Sequence, residues 1–329
     1  MLSVYCLFTF EQAASFRETS ADAVRAPDED NNVQMTNLWR VVLWMTGVVL
    51  SFSAMAVSIR ALASKLNIFE ILSIRSGVGS LIMLLLLAGR ADLRPLVWPT
   101  RMPLNLLRNV IHFGGQYCWA TALTILPFAT VFALEFITPA WTALLAVWLL
   151  SERLTPSRIG AVALGLLGVF IILRPGLVAF NPATLWVLAA TVAFAIVFIT
   201  TKMLTTTETS FAIVFWMSVI QLPLGLAGSD PMFSFKLGAW DVPAILGIGV
   251  GGMLSHYCLT KAFRAGDATL VVPLDFLRVP LIALVGWGFF SEPLDIWVFV
   301  GASVIVLGLF WNIRAETPIV RKRFPSIRR

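Results

Sequence analysis

Charge is what this chain has least of. Only 13% of its 329 residues are Asp, Glu, Lys or Arg, against roughly a quarter in an ordinary soluble domain. That leaves little room for a soluble fold. Histidine occurs twice and cysteine three times. Cys6, Cys118 and Cys258 make no CxxC pair and no Cys/His ligand spacing, so no metal is expected. Cys118 and Cys258 read instead as small buried apolar residues. Nothing matches HExxH, a phosphate-binding glycine loop, an Asp-rich motif or a converging Ser-His-Asp order. No catalytic residue and no cofactor follow from the chain. No Asn-x-Ser/Thr acceptor occurs, in keeping with a bacterial-type inner membrane rather than a glycosylating compartment.

What remains is apolar. Hydrophobic residues make up 58% and mean hydropathy is +0.86. Ten runs approach spanning length: 39–59, 68–88, 104–124, 128–150, 158–174, 183–203, 211–228, 242–263, 268–290 and 295–313. A helix needs about 20 residues to cross a core of about 30 Å. Pro139, Pro273, Pro280, Gly249 and Gly251 fall inside these runs. They are tolerable there because neighbouring helices satisfy the backbone groups they free.

Lysine and arginine set the orientation. With the N-terminus inside, Arg40, Arg90, Arg94, Arg101, Arg153, Arg158, Lys202, Lys261 and Arg264 are cytoplasmic, as are Arg17 and Arg25. The C-terminal tail adds Arg314, Arg321, Lys322, Arg323, Arg328 and Arg329, whereas the outside holds only Arg60, Lys65, Arg174 and Lys236. The bias puts both termini in the cytoplasm. The net charge of +6 therefore reads as topology, not as nucleic-acid binding. The basic tail either touches anionic lipid or is a solvated stop signal. Residues 1–36, with the acidic run Asp28-Glu29-Asp30 and no signal-peptide pattern, are expected to be a disordered tail. Met35, just ahead of the first span, is a candidate natural start.

The chain also repeats itself. Tyr117-Cys118, Glu135-Phe136 and Ser151-Glu152 recur as Tyr257-Cys258, Asp275-Phe276 and Ser291-Glu292, at one offset of 140. Gly168 with Gly308 and Arg174 with Arg314 share that offset. From 116 to 154, eleven of thirty-nine positions equal their partners. Apolar composition alone does not hold an acid, a Ser-Glu pair and a Tyr-Cys pair in register. Each copy holds five spans, and an odd number turns the second copy upside down in the membrane. The expected fold is an all-α membrane protein of ten transmembrane helices, two inverted five-helix repeats at 37–176 and 177–315. Residues 316–329 form a basic cytoplasmic tail. In this layout the binding site lies near the midplane between the halves, and alternating access follows.

Certain stretches carry a resemblance: Leu126-Pro127-Phe128-Ala129, Phe136-Ile137-Thr138-Pro139, Leu144-Leu145-Ala146, Ser151-Glu152-Arg153-Leu154, Gly165 with Gly168, and Leu173-Arg174-Pro175-Gly176. They resemble the EamA-type repeat that defines the drug/metabolite transporter superfamily, over roughly 40–314, more weakly in the second copy. The chain departs from the repeat at Pro293, where the first copy has Arg153, and at Asp267, where it has Pro127. The resemblance implies ten helices, inverted repeats and transport of a small molecule. The family spans amino acids, sugars, nucleotide-like molecules and vitamins, in export and uptake.

Ionisable residues inside spans are costly and mark function by default. Glu135 and Asp275 each lie eight residues into a span, about 12 Å deep. They can bind a substrate amine or carry a proton; otherwise they cap kinks beside Pro139 and Pro280 or pair with arginines. Arg278 is one turn after Asp275, so the two can pair. Arg75, about 10 Å deep, can hold a carboxylate or phosphate bidentately, or neutralise Glu135 or Asp275. Arg108 and Glu70 lie nearer the interfaces, where snorkelling accounts for them. His112 and Gln116 share a helix face, and Gln116 is the repeat partner of His256. Both histidines sit in spans, as proton or substrate contacts or as packing hydrogen bonders. Tyr117, Tyr257 and Trp119, with Trp141, Trp216, Phe136 and Phe276, line an amphipathic pocket or serve packing and interface roles. Gly247, Gly249, Gly251 and Gly252 favour close helix approach.

Three functions compete. The first is a secondary carrier for a small polar or amphipathic metabolite, amino-acid-like or related, driven by protons or exchange. Adenosylmethionine-like and riboflavin-like substrates stay open. The second is an intramembrane transferase, against which stands the missing catalytic set. The third is a channel or scaffold, against which stand the inverted repeat and paired acids. One chain holds both halves, so a monomer can transport and a homodimer is compatible.

Overall fold

A computed structural model describes residues 27–150, 155–174, 181–205, 207–265, 274–275 and 277–323. Among the described residues are eleven α-helices, a helical pair at Leu274 and Asp275, and three short 3-10 turns, with no strand. They run α1 Pro27–Leu62, α2 Ile68–Gly89, α3 Met102–Ile125, α4 Phe128–Glu135, α5 Thr138–Leu150 and α6 Pro156–Leu173 in the first half. The second half has α7 Ala183–Thr205, α8 Ser210–Ala227, α9 Val242–Ala265, α10 Arg278–Phe290 and α11 Ile296–Arg323.

Helix α1 starts earlier than its apolar run. Pro27 stands at its first position, where the missing backbone N–H of proline costs no intrahelical bond. Residues 27–36, expected as disordered tail, are therefore helical. The expectation for 1–26 falls outside the described residues. At the other end α11 runs on to Arg323, carrying helix into the basic tail.

Trp39–Leu62, Ile68–Gly89, Ala183–Thr201 and Ala239–Leu259 are long and apolar enough to cross a membrane, and five shorter apolar helices accompany them. The expected span at 128–150 is two helices, not one. Helix α4 ends at Glu135, a turn passes through Phe136 and Ile137, and α5 begins at Thr138. Pro139, at the second position of α5, lacks the N–H that a continuous helix would need. The second copy does the same at the same offset: Leu274 and Asp275 are helical, Leu277 is a turn, and α10 begins at Arg278. Both acids thus sit at helix interruptions.

The main packing partners cross between halves. Helix α1 packs on α9, α3 on α7, α2 on α8, α6 on α11, and α4 on α10. By span number, first meets third, third meets first, and each other span meets its own copy. That pattern is unchanged when the halves are exchanged, as a pseudo-twofold requires. Glycines permit the closest approaches. A Cβ on Gly168 of α6 would lie 2.5 Å from the Gly301 carbonyl of α11, and one on Gly301 the same distance from the Gly168 carbonyl. On α9, Gly247 and Gly251 face α1 while Gly249 faces Val78 of α2.

Candidate functional site

The helix interruptions bring the two halves' acids to one guanidinium. Arg278 Nη2 is 3.5 Å from Asp275 Oδ2 and 3.9 Å from Glu135 Oε1. Arg278 is 0% exposed, Glu135 and Asp275 each 2%, so the cluster is sealed from solvent. The guanidinium lies over Phe52 at 4.3 Å and Phe132 at 5.0 Å, with Phe136 at 5.8 Å. Such rings attract a desolvated cation through their negative faces. Trp119 completes the box and donates its indole N–H to Glu135 Oε2 at 3.2 Å. Neither Asp275 oxygen accepts a hydrogen bond among the described residues. Among the described residues the cluster holds two carboxyl groups and one guanidinium.

Arg75 pairs with neither acid. It has no hydrogen-bond or ion-pair partner among the described residues and is half-buried. Its Nε lies 3.3 Å from where a Cβ on Gly252 of α9 would stand, and Met55 Sδ of α1 lies 3.2 Å from the same point. Met55 is one turn from Phe52, so α1 links the Arg75 side chain to the Arg278 box. A lone guanidinium there suits an anionic group.

Of the other expected contacts, His112 and Gln116 do meet. Gln116 Nε2 is 3.0 Å from His112 Nε2, and Gln221 of α8 reaches Nδ1 at 3.1 Å. Tyr117 lies apart, its ring against Phe69 at 4.9 Å and Trp186 at 6.3 Å. Tyr257 is 54% exposed and packs on Trp44 and under Lys261, outside the cluster. The His256 side chain and Phe276 fall outside the described residues. Glu70 and Arg108 do not snorkel. Glu70 is buried, closing a capping box with Asn67 at the start of α2 and taking Lys236 Nζ at 2.8 Å. Arg108 is buried against Thr201 Oγ1 at 2.6 Å and Asn109 Oδ1 at 2.7 Å. Counting depth from span ends says nothing of which face a side chain takes.

Three participants escape a sequence reading. Phe52 and Phe132 are unremarkable in apolar runs. Glu292 stands out as a repeated motif, but its role does not. Ser291 adopts the left-handed conformation at φ 55°, and Glu292 N bonds Gly286 O at 3.1 Å, folding the chain back over α10. Glu292 Oε2 then accepts from Phe128 N, the first residue of α4, at 2.9 Å. Glu292 also pairs with Arg60 of α1. Arg60 lies 3.5 Å over the Phe128 ring and donates to the Leu123 and Leu126 carbonyls at 2.6 and 2.5 Å. On the same face Arg174 pairs with Asp295 and Lys65 with Asp241. These contacts close one end of the bundle, the end the charge bias places outside.

Two interrupted helices from inverted repeats, sharing a buried charge cluster, define a carrier of small solutes. The chain belongs to the EamA-like transporter family, whose pattern matches residues 39–174 and again 181–314. It is a multi-pass membrane transporter, not an enzyme. It is 26% identical over 285 residues to an S-adenosylmethionine uptake transporter of Rickettsia felis, covering 86% of this chain and 95% of that one. It is 31% identical over 220 residues to a riboflavin transporter of Rhizobium johnstonii, covering 66% and 72%. A pseudopaline exporter of Pseudomonas aeruginosa is 27% identical over 266 residues, covering 78% and 90%. A solved crystal structure at 17% identity superposes with a TM-score of 0.51 over 86% of this chain and 98% of that one, a likeness of fold alone.

Proposed function

We propose that the chain is a secondary carrier, by alternating access, of a small amino-acid-like metabolite bearing both a cation and a carboxylate. The observation that carries this is the shared Arg278: two carboxylates, one from each half, against one guanidinium. The remaining negative charge is neutralised by a substrate cation or by a proton, which would couple binding to the closing of the two halves. Arg75, half-buried and without a partner among the described residues, takes the substrate carboxylate. S-adenosylmethionine has the required pattern, a sulfonium cation separated by two methylenes from an amino-acid end that carries an ammonium and a carboxylate. Riboflavin is neutral and makes less use of these charges. The arginine and lysine bias supports both termini in the cytoplasm, and the lack of Asn-x-Ser/Thr acceptors supports an inner membrane.

The test is uptake of labelled S-adenosylmethionine into proteoliposomes, with its decarboxylated analogue and riboflavin in parallel. Arg75→Gln is expected to weaken S-adenosylmethionine at least tenfold and to leave the decarboxylated analogue little changed, since the bidentate contact is lost only for the acid. Equal loss for both would remove Arg75 from the carboxylate role. Transport of riboflavin alone, insensitive to Arg75→Gln and Glu135→Gln, would overturn the charge-based reading.

A further inference from the structure

Helix α3 is 24 residues long, enough to cross the membrane, yet it is absent from the apolar helices. The cause is one face. Asn105, Arg108, Asn109, His112 and Gln116 all point inward and are buried, at spacings of three and four that align side chains along one stripe. Trp119, the next position on the stripe, holds Glu135. The far end is anchored by Glu208, which accepts from Asn105 Nδ2 at 2.7 and 2.9 Å and from the Thr100 and Arg101 backbone N–H groups at 3.0 and 2.9 Å. That end carries Arg90, Arg94 and Arg101 and faces the cytoplasm by the charge bias. From Asn105 to Trp119 the stripe rises about 21 Å.

Interhelical polar contacts often serve as glue, but glue leaves few atoms unsatisfied. Among the described residues, Asn105 Oδ1, Asn109 Nδ2 and, with its nitrogen on His112, Gln116 Oε1 are buried without a hydrogen-bond partner, one at each successive turn or two of the stripe. Buried amide atoms of this kind are met by ordered water. His112 fits the same reading. A neutral imidazole has one donor and one acceptor nitrogen, so Gln116 and Gln221 cannot both present an amide nitrogen to it. One must turn its oxygen to the ring, and with both turned the pair holds an imidazolium.

We propose that the buried polar face of α3 is a file of water by which the cytoplasm reaches Glu135, passing protons to it while the outer end is closed. The ligand class is water and protons, not the carried metabolite. The proposal rests on Glu135 as a working carboxylate of the carrier, but its test needs no transport.

The test uses the full-length protein with Cys6, Cys118 and Cys258 replaced by serine, in inverted vesicles with the cytoplasmic face outward. A single cysteine is placed at Asn105, Asn109 or Gln116, and at Leu106 or Val110 as controls at matched depth on the exposed apolar face, where their side chains are 49% and 47% accessible. The probe is methanethiosulfonate ethylammonium, which reacts with the thiolate, a form that needs water. Reaction at all three stripe positions and little at the controls is the expected result. His112→Leu, a plug, is expected to abolish labelling at position 116 while leaving 105 and 109 reactive. Stripe thiols no more reactive than the controls, or a plug without effect on 116, would overturn the proposal and leave α3 as dry packing. Each thiol is scored separately, so a variant that fails to fold leaves the others to decide. Failure here with intact metabolite uptake removes the water file alone; labelling as expected without uptake removes the substrate assignment alone.

Discussion

Single side chains carry the charge logic of this molecule. Arg278 is fully buried between Asp275 and Glu135 and stacked on Phe52. Arg278→Ala would leave two buried carboxylates uncompensated, a loss of about 3–5 kcal/mol for a broken buried pair. A markedly lower melting temperature of the detergent-purified protein checks this. Arg278→Lys keeps the charge but not the flat stacking surface, and should melt between that variant and the parent while transporting poorly. Glu135→Gln keeps an acceptor for the Trp119 indole and is expected to fold normally but not to transport. Wild-type uptake by both Glu135→Gln and Asp275→Asn would end the working-carboxylate reading. These residues are legible in the sequence because a charge inside an apolar run is conspicuous. Phe52 and Phe132, which cage Arg278, are not, since phenylalanine in such a run carries no signal of its neighbours. Arg108 is misread from sequence because its helix face depends on what α3 packs against.

At the scale of elements, the contacts at the end that the charge bias places outside depend on one turn. Ser291 redirects the chain so that Glu292, from the second half, caps α4 in the first. Glu292→Ala would take from Arg60 its carboxylate, leaving it the Leu123 and Leu126 carbonyls, and uncap α4. Hydrogen bonds to charged groups contribute about 1.5–3 kcal/mol, so a lower melting temperature is expected, with faster outer-side thiol labelling within the bundle. Unchanged labelling would show that the Arg60–Glu292 contact is not a closure. The seam between α6 and α11 is set by glycine. Gly168→Val would drive a side chain into the Gly301 carbonyl, and the yield of folded protein should collapse. The breaks after Glu135 and Asp275 are hidden in the sequence, because no glycine marks them. Pro139 and Pro280 are in view, but a proline inside an apolar run fits a tolerated kink as well as a helix start.

The whole molecule is two halves that complete each other. Since α1 packs on α9 and α3 on α7, neither half has its main partners within itself. Halves divided between the repeats and expressed together should copurify, and either alone should be degraded. This architecture is the most legible part of the chain, because the repeat offset and the odd span number are properties of order and need no coordinates. The outer loops also bound the pH behaviour. Lys236 outside the spans is raised above the ordinary lysine value, first by its hydrogen bond to Glu70. Asp230 is lowered, first by the Met232 N–H and then by Lys236. The raised lysine contributes in full below its ordinary value and loses its contribution only as pH rises through the higher folded one. The lowered aspartate contributes above its ordinary value and is lost only in acid. Between roughly pH 4 and 10 this loop should be indifferent, and any change of transport rate from pH 5 to 8 belongs to buried groups. A melting-temperature difference between the parent and Lys236→Gln that stays constant across that range is the expected measurement.

The two helix breaks are copies, yet the residues just beyond them differ. The second break opens on Arg278, and its counterpart at the first break is Thr138. A carrier with matched halves would be indifferent to which side it faces when empty. With the alternating access proposed above, the guanidinium of the cluster belongs to one half, so the two facings would differ in energy and the empty carrier would have a preferred one. That preference cannot alter how far a gradient is built, only where the carrier waits. Exchanging Thr138 and Arg278 should move the waiting state to the other side of the membrane.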